Sequence, residues 1–137
     1  MRFWRGLLWR YDFRRGRRVE WKTRFMGTID ADTRTATDAF SKMLIGRFPV
    51  AGAMLFGSRG RGSQRAASHA AVAVFLQGEP ASFLETKDAM ADVAFDVLLE
   101  TGVLIKPLPV WETEWRHPER RPYPEFLAII RREGVAL

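Results

Sequence analysis

One short stretch of the chain has the residue types that could handle an anion. Gly57 and Ser58 are followed by Arg59 and Arg61, in the run Gly57-Ser58-Arg59-Gly60-Arg61-Gly62. Glycine lets a backbone come close to a ligand, and exposed amides and a serine hydroxyl can meet phosphate oxygens. Arginine can bind the same oxygens through two parallel hydrogen bonds. These residues make Gly57, Ser58, Arg59 and Arg61 candidate nucleotide-binding positions. A Gly-Ser pair is common, however, and a glycine-rich turn between strands is most often only a turn.

The flanking elements give the turn its context. Val50 to Phe56 is a short apolar run that reads as a buried strand, and Ala70 to Leu76 is a second. Asp32 is the expected N-cap of a helix running to about Arg47, with Ala36, Phe40, Met43 and Leu44 at helical spacing. Ser82 with Glu85 forms a capping box for a helix that ends near Thr101, with Gly102 as its stop. Met90, Ala94, Val97 and Leu98 are its expected apolar stripe. Val103 to Trp111 reads as a third strand, and its Pro107 and Pro109 suit an edge. Pro124 to Arg132 reads as a closing helix with Phe126, Leu127, Ile129 and Ile130 inward. The order predicts a small α/β (α+β) domain over residues 29–137, a short mixed sheet with helices packed on it.

Within that frame, "LFGSRGRG" (55–62) followed by "SHAAVAVFL" (68–76) resembles the signature of the polymerase-beta-like nucleotidyltransferases. The nearest group is the minimal nucleotidyltransferases, many of which act as antitoxins. The closing "IIRREGVAL" (129–137) is similar to the end of that group, and the resemblance covers roughly 29–137. Its pattern is Gly-Ser, ten residues, then Asp-x-Asp on the next strand. Residues i and i+2 of a strand share a face, so two aspartates there can hold two magnesium ions over a triphosphate. A third acid on a later strand completes the site. The resemblance implies a nucleotidyltransferase-like fold, Mg2+ and ATP as cofactors, and adenylyl transfer to a hydroxyl. It also implies a protein partner, a toxin of the HEPN type.

The chain departs from the pattern at the metal positions. Counting from Gly57-Ser58, the acids fall on His69 and Ala71, and the third strand has Lys106 and no carboxylate. The nearest acids are Glu112 and Glu114, beyond it. Magnesium prefers oxygen ligands, so the motif is degenerate and two-metal catalysis is expected to fail or run very slowly. His69 alone suits a general base or a softer metal. The only other histidine is His117, in a proline-rich loop. The alternative reading is a non-catalytic, partner-binding protein such as a sterically acting antitoxin.

Charge supplies a second alternative. The chain of 137 residues has a net charge of +6. Residues 1–25 hold nine basic and two acidic side chains, a net of +7, mixed with Phe3, Trp4, Trp9, Tyr11, Phe13 and Trp21. The remainder is nearly neutral. Nucleic-acid binding would therefore fall to this head and not to the body. Residues 1–28 are expected to form a poorly ordered extension. The head has no apolar run long enough for a membrane span or a secretory signal. With no cysteine in the chain, disulfides and thiolate metal sites are excluded, and a cytoplasmic location suits it. Asp88, Asp92 and Asp96 recur every four residues and read as a solvated helix face. Trp111, Trp115 and Tyr123 are either interface anchors or covers for the sheet edge.

Overall fold

The structure is a computed structural model and describes residues 9–12, 17–20, 29–57, 69–122 and 124–137. It opens with an antiparallel pair, β1 (Trp9–Asp12) and β2 (Arg17–Glu20). This pair lies inside the segment expected to be poorly ordered. The rest is α1 (Ala31–Ile45), β3 (Val50–Phe56), β4 (Ala70–Leu76), α2 (Phe83–Thr101), β5 (Ile105–Trp111), α3 (Glu112–Arg116), α4 (Glu125–Glu133) and β6 (Val135–Ala136). A 3-10 turn, Pro118–Arg120, follows α3. Strands β5, β4, β3 and β6 lie side by side in that order. β4 runs antiparallel to β3 and parallel to β5, which makes the sheet mixed. The fold is the small α+β domain that the order of elements predicts.

Each sheet face has its own apolar cover. Ala53, Leu55, Val72, Val74 and Ile105 face α1 through Ala36, Phe40 and Leu44, and α2 through Met90, Val93, Ala94 and Val97. Ala51, Met54, Ala73, Phe75 and Val110 face Trp115 of α3 and Leu127 and Ile130 of α4. The alternation of a strand sends its neighbours to opposite layers. A register shift between Val50 and Gly52 lets Ala51 and Met54, three apart, share a face. Phe40 and Phe75 are fully buried, and each such side chain stabilises the fold by roughly 1.5–3 kcal/mol.

Several boundaries differ from the expectation. The N-cap of α1 is Asp30, not Asp32. Asp30 is extended and its carboxylate accepts from the Thr33 amide at 2.8 Å, whereas Asp32 lies in the first turn. The helix ends at Ile45, two residues early. β5 starts at Ile105, because Val103 and Leu104 belong to the approach from Gly102. Val93 is buried in α2 while Leu98 is only partly so. In α4 Leu127 and Ile130 point inward, Ile129 is half-buried, and Phe126 is 48% exposed. Trp111 and Trp115 are buried, so they cover the sheet, and Phe75 meets Trp115 edge-on at 4.8 Å. Tyr123 lies outside the described residues.

Gly134 links α4 to β6. A Cβ there would sit 2.5 Å from the Ile130 carbonyl oxygen and 3.1 Å from Met54 Sδ. Only glycine lets the chain turn so close to the helix end and pair with β3 at Met54 and Leu55.

Candidate functional site

The site is built where β3 ends and β4 begins. Phe56 pairs with Ala71 across the antiparallel ladder, and Ala71 pairs with Lys106 across the parallel one. The three form a row across neighbouring strands, each about 4.8 Å from the next. Gly57 follows at φ +80°, in the left-handed region that favours glycine, and closes β3 beside Ala71. A Cβ on Gly57 would meet Ala71 Cβ at an ordinary 3.9 Å, so conformation and not space is what asks for glycine. His69 lies two residues before Ala71, just ahead of the strand, and is exposed. Ser58, Arg59 and Arg61 lie outside the described residues. The same holds for the basic head apart from the backbone of β1 and β2.

Strand register thus brings Gly57, Ala71 and Lys106 together and leaves His69 at the rim. Ala71 is half-buried and offers only a methyl group, while Lys106 is exposed and offers an ammonium. Magnesium asks for oxygen ligands, and this row supplies none. A lysine one strand away also repels a divalent cation. Among the described residues no three His, Cys, Asp or Glu side chains gather as a metal site. Glu114, one of the two nearest acids, borders the same pocket as Ala71 and Lys106, but its carboxylate is already held by Arg121 and the Trp111 amide.

Glu114, in the first turn of α3, covers the outer edge of β5. Ala70 donates to the Leu104 carbonyl at 2.8 Å, which sets the phase of the parallel ladder. Every second residue from Leu104 to Val110 then faces β4, and Ile105, Pro107, Pro109 and Trp111 turn their backbone outward. Both prolines fall on outward positions, where they remove donors from the edge. The Trp111 amide donates to Glu114 Oε1 at 3.1 Å. Arg121 Nη1 donates to Glu114 Oε1 at 2.9 Å and to the Pro109 carbonyl at 3.0 Å. The ion pair is largely buried, with side chains 8% and 11% exposed. The guanidinium also lies 5.2 Å from the centre of the Phe83 ring. Most of this edge is therefore sealed against an added strand.

Beside the edge is a groove of about 790 Å³, which suits a ligand or an inserted side chain. Its walls include Phe83 and Phe95 of α2, Pro107 and Leu108 of β5, and Phe126 of α4, and Ala71 and Lys106 also line it. The row that lacks oxygen ligands therefore opens into an apolar groove. Sequence reasoning missed this groove. A signal for it was Phe95, an apolar residue beside the expected stripe of α2 on the side assigned to solvent.

No protein-family model and no curated protein matches the chain. Among solved structures it is similar to a candidate nucleotidyltransferase from Sulfolobus solfataricus, at 14% identity and a TM-score of 0.39. The match covers 81% of this chain and 89% of that one. Both figures are low, so the chemistry of the site is judged by the residues that build it. No helix among the described residues is long and apolar enough to cross a membrane.

Proposed function

We propose that the chain is a nucleotidyltransferase-like protein that has lost metal-dependent transfer and acts by binding a protein partner. The supporting observation is the row Phe56, Ala71 and Lys106, entered from the φ +80° turn at Gly57. The Gly-Ser signature asks for carboxylates at 69, 71 and on the next strand. The chain has an imidazole, a methyl group and an ammonium there. The residues do not fit Mg2+, and no step of transfer is assigned to it. Gly57, with Ser58, Arg59 and Arg61, remains the place where ATP would dock, and any affinity would be weak without the metal. The action is steric, in the cytoplasm, and a HEPN-type toxin is the partner that the motif resemblance implies.

The test compares the unaltered chain with His69→Asp/Ala71→Asp and with His69→Asp/Ala71→Asp/Lys106→Asp. Each is incubated with labelled ATP, magnesium and a candidate partner, and Mn2+ binding is measured in parallel. The unaltered chain should bind no Mn2+ and transfer no label. The double variant should gain little, because the carboxylate introduced at position 71 would pair with Lys106 one strand away. The triple variant should bind Mn2+. Label transfer by the unaltered chain would defeat the proposal.

A further inference from the structure

The outer surface of α2 is apolar where a lone monomer has no use for it. Leu84 is 69% exposed, Phe95 56% and Leu99 71%. At 100° per residue, Leu84, Ala91 and Phe95 fall within about 40° of arc, and Leu99 lies about 40° further round. The band adjoins the groove, which Ala91 and Phe95 also line. From the other side of the sheet Phe126 adds a further exposed ring. Large exposed apolar side chains gathered on one helix face mark an interaction site more often than scattered residues do.

The surroundings narrow the occupant. Asp92 and Asp96 are exposed and, with Glu85, run along the side of the band away from the groove, while Asp88 sits within the band between the directions of Phe95 and Leu99. With Glu85 and Glu100, α2 carries five acids against the single Lys87. A partner on the band must present positive charge along that flank. A strand is disfavoured, because Pro107, Pro109, Glu114 and Arg121 close most of the β5 edge. A second copy docked about a two-fold through antiparallel α2 helices would set aspartates against aspartates. We infer that this face receives an amphipathic helix of another protein, its apolar stripe on Leu84, Phe95 and Leu99 and its Lys/Arg side chains against Asp88, Asp92 and Asp96. The inference deepens the partner-binding reading and rests on it.

The test uses three synthetic peptides of the length of α2, 19 residues. One is a leucine-striped helix with a lysine flank, one is the same helix with a glutamate flank, and one is an alternating valine-threonine strand former. Each is titrated into the full chain by fluorescence anisotropy. The lysine peptide should bind at least about tenfold tighter than the glutamate peptide, a gap of about 1.4 kcal/mol. Its binding should weaken with salt. Phe95→Asp should remove that binding without lowering the melting temperature, and Leu99→Asp provides the same test at a more exposed position. Asp88→Lys/Asp92→Lys/Asp96→Lys should invert the preference toward the glutamate peptide. Equal affinities, no binding, preference for the strand former, or indifference to both apolar variants would overturn the inference. So would a dimer in sedimentation that Phe95→Asp dissociates, since a second copy would then cover the face. Label transfer by the unaltered chain would instead sink the non-catalytic reading and leave the peptide preferences standing.

Discussion

Replacing Arg121 by methionine tests the closed edge directly. The substitution keeps the aliphatic stem but removes both hydrogen bonds of the guanidinium, to Glu114 at 2.9 Å and to the Pro109 carbonyl at 3.0 Å. The Glu114 carboxylate is then left buried with only the Trp111 amide as a partner. Breaking a buried pair from one side costs about 3–5 kcal/mol. For a chain of this size each kcal/mol moves the melting temperature by roughly 4 °C, so Arg121→Met should melt roughly 12–20 °C lower. Arg121→Met/Glu114→Leu removes the stranded charge as well. It leaves the Trp111 amide and the Pro109 carbonyl unpaired, a cost of about 1–3 kcal/mol. The double variant should therefore be more stable than the single one. Calorimetry on the three proteins reads this order, and light scattering reads the association that an opened edge invites. A single variant within about 1 kcal/mol of the unaltered protein would refute the reasoning, because the pair would then behave as a surface ion pair. A double variant less stable than the single one would refute it too.

Two further substitutions probe how the site is held. Gly134→Ala should cost about 1–3 kcal/mol in urea unfolding, because its Cβ would press on the Ile130 carbonyl oxygen, which cannot yield as a side chain can. Asp30→Ala should cost about 1–2 kcal/mol, since Asp30 caps the fully buried Thr33 through its amide at 2.8 Å and its hydroxyl at 3.0 Å. Asp32→Ala should cost less, as Asp32 caps nothing, and equal losses would return the cap to Asp32.

Where local chemistry decides, the sequence was legible. The apolar runs Val50–Phe56 and Ala70–Leu76 became strands with those limits, and Ser82 with Gly102 bounded α2 as capping chemistry predicts. The choice between Asp30 and Asp32 was not legible, because both are good caps and only tertiary packing of Thr33 selects one. β6 was invisible at two residues, too short for any period to register. The strands β1 and β2 carry no alternation that survives the arginines around them. For the site, the resemblance to the Gly-Ser, ten residues, Asp-x-Asp pattern picked out His69 and Ala71, and Lys106 was the charged residue of the third expected strand. That Ala71 and Lys106 are direct neighbours is a fact of register, which pairs residues far apart in the chain. The Glu114–Arg121 pair likewise needs the chain to turn back through the segment after α3.

The residues that suggest function are those on which folding makes little demand. His69 and Lys106 are exposed and Ala71 is half-buried, so their identities are nearly free as far as stability is concerned. Aspartates there would cost the fold little, and their absence is not explained by packing. Leu84, Phe95 and Leu99 present the opposite case. Each is more than half exposed, gains little from folding, and adds apolar surface that invites association. Polar residues would serve the isolated domain better at all three positions. A groove end without oxygen ligands beside costly exposed apolar side chains is what the proposed partner-binding role calls for. The same exposure keeps the carboxylate variants informative. His69→Asp/Ala71→Asp/Lys106→Asp should melt close to the unaltered chain, so a lack of Mn2+ binding by it could not be blamed on unfolding, and would count against the assignment of these three positions as the lost metal site.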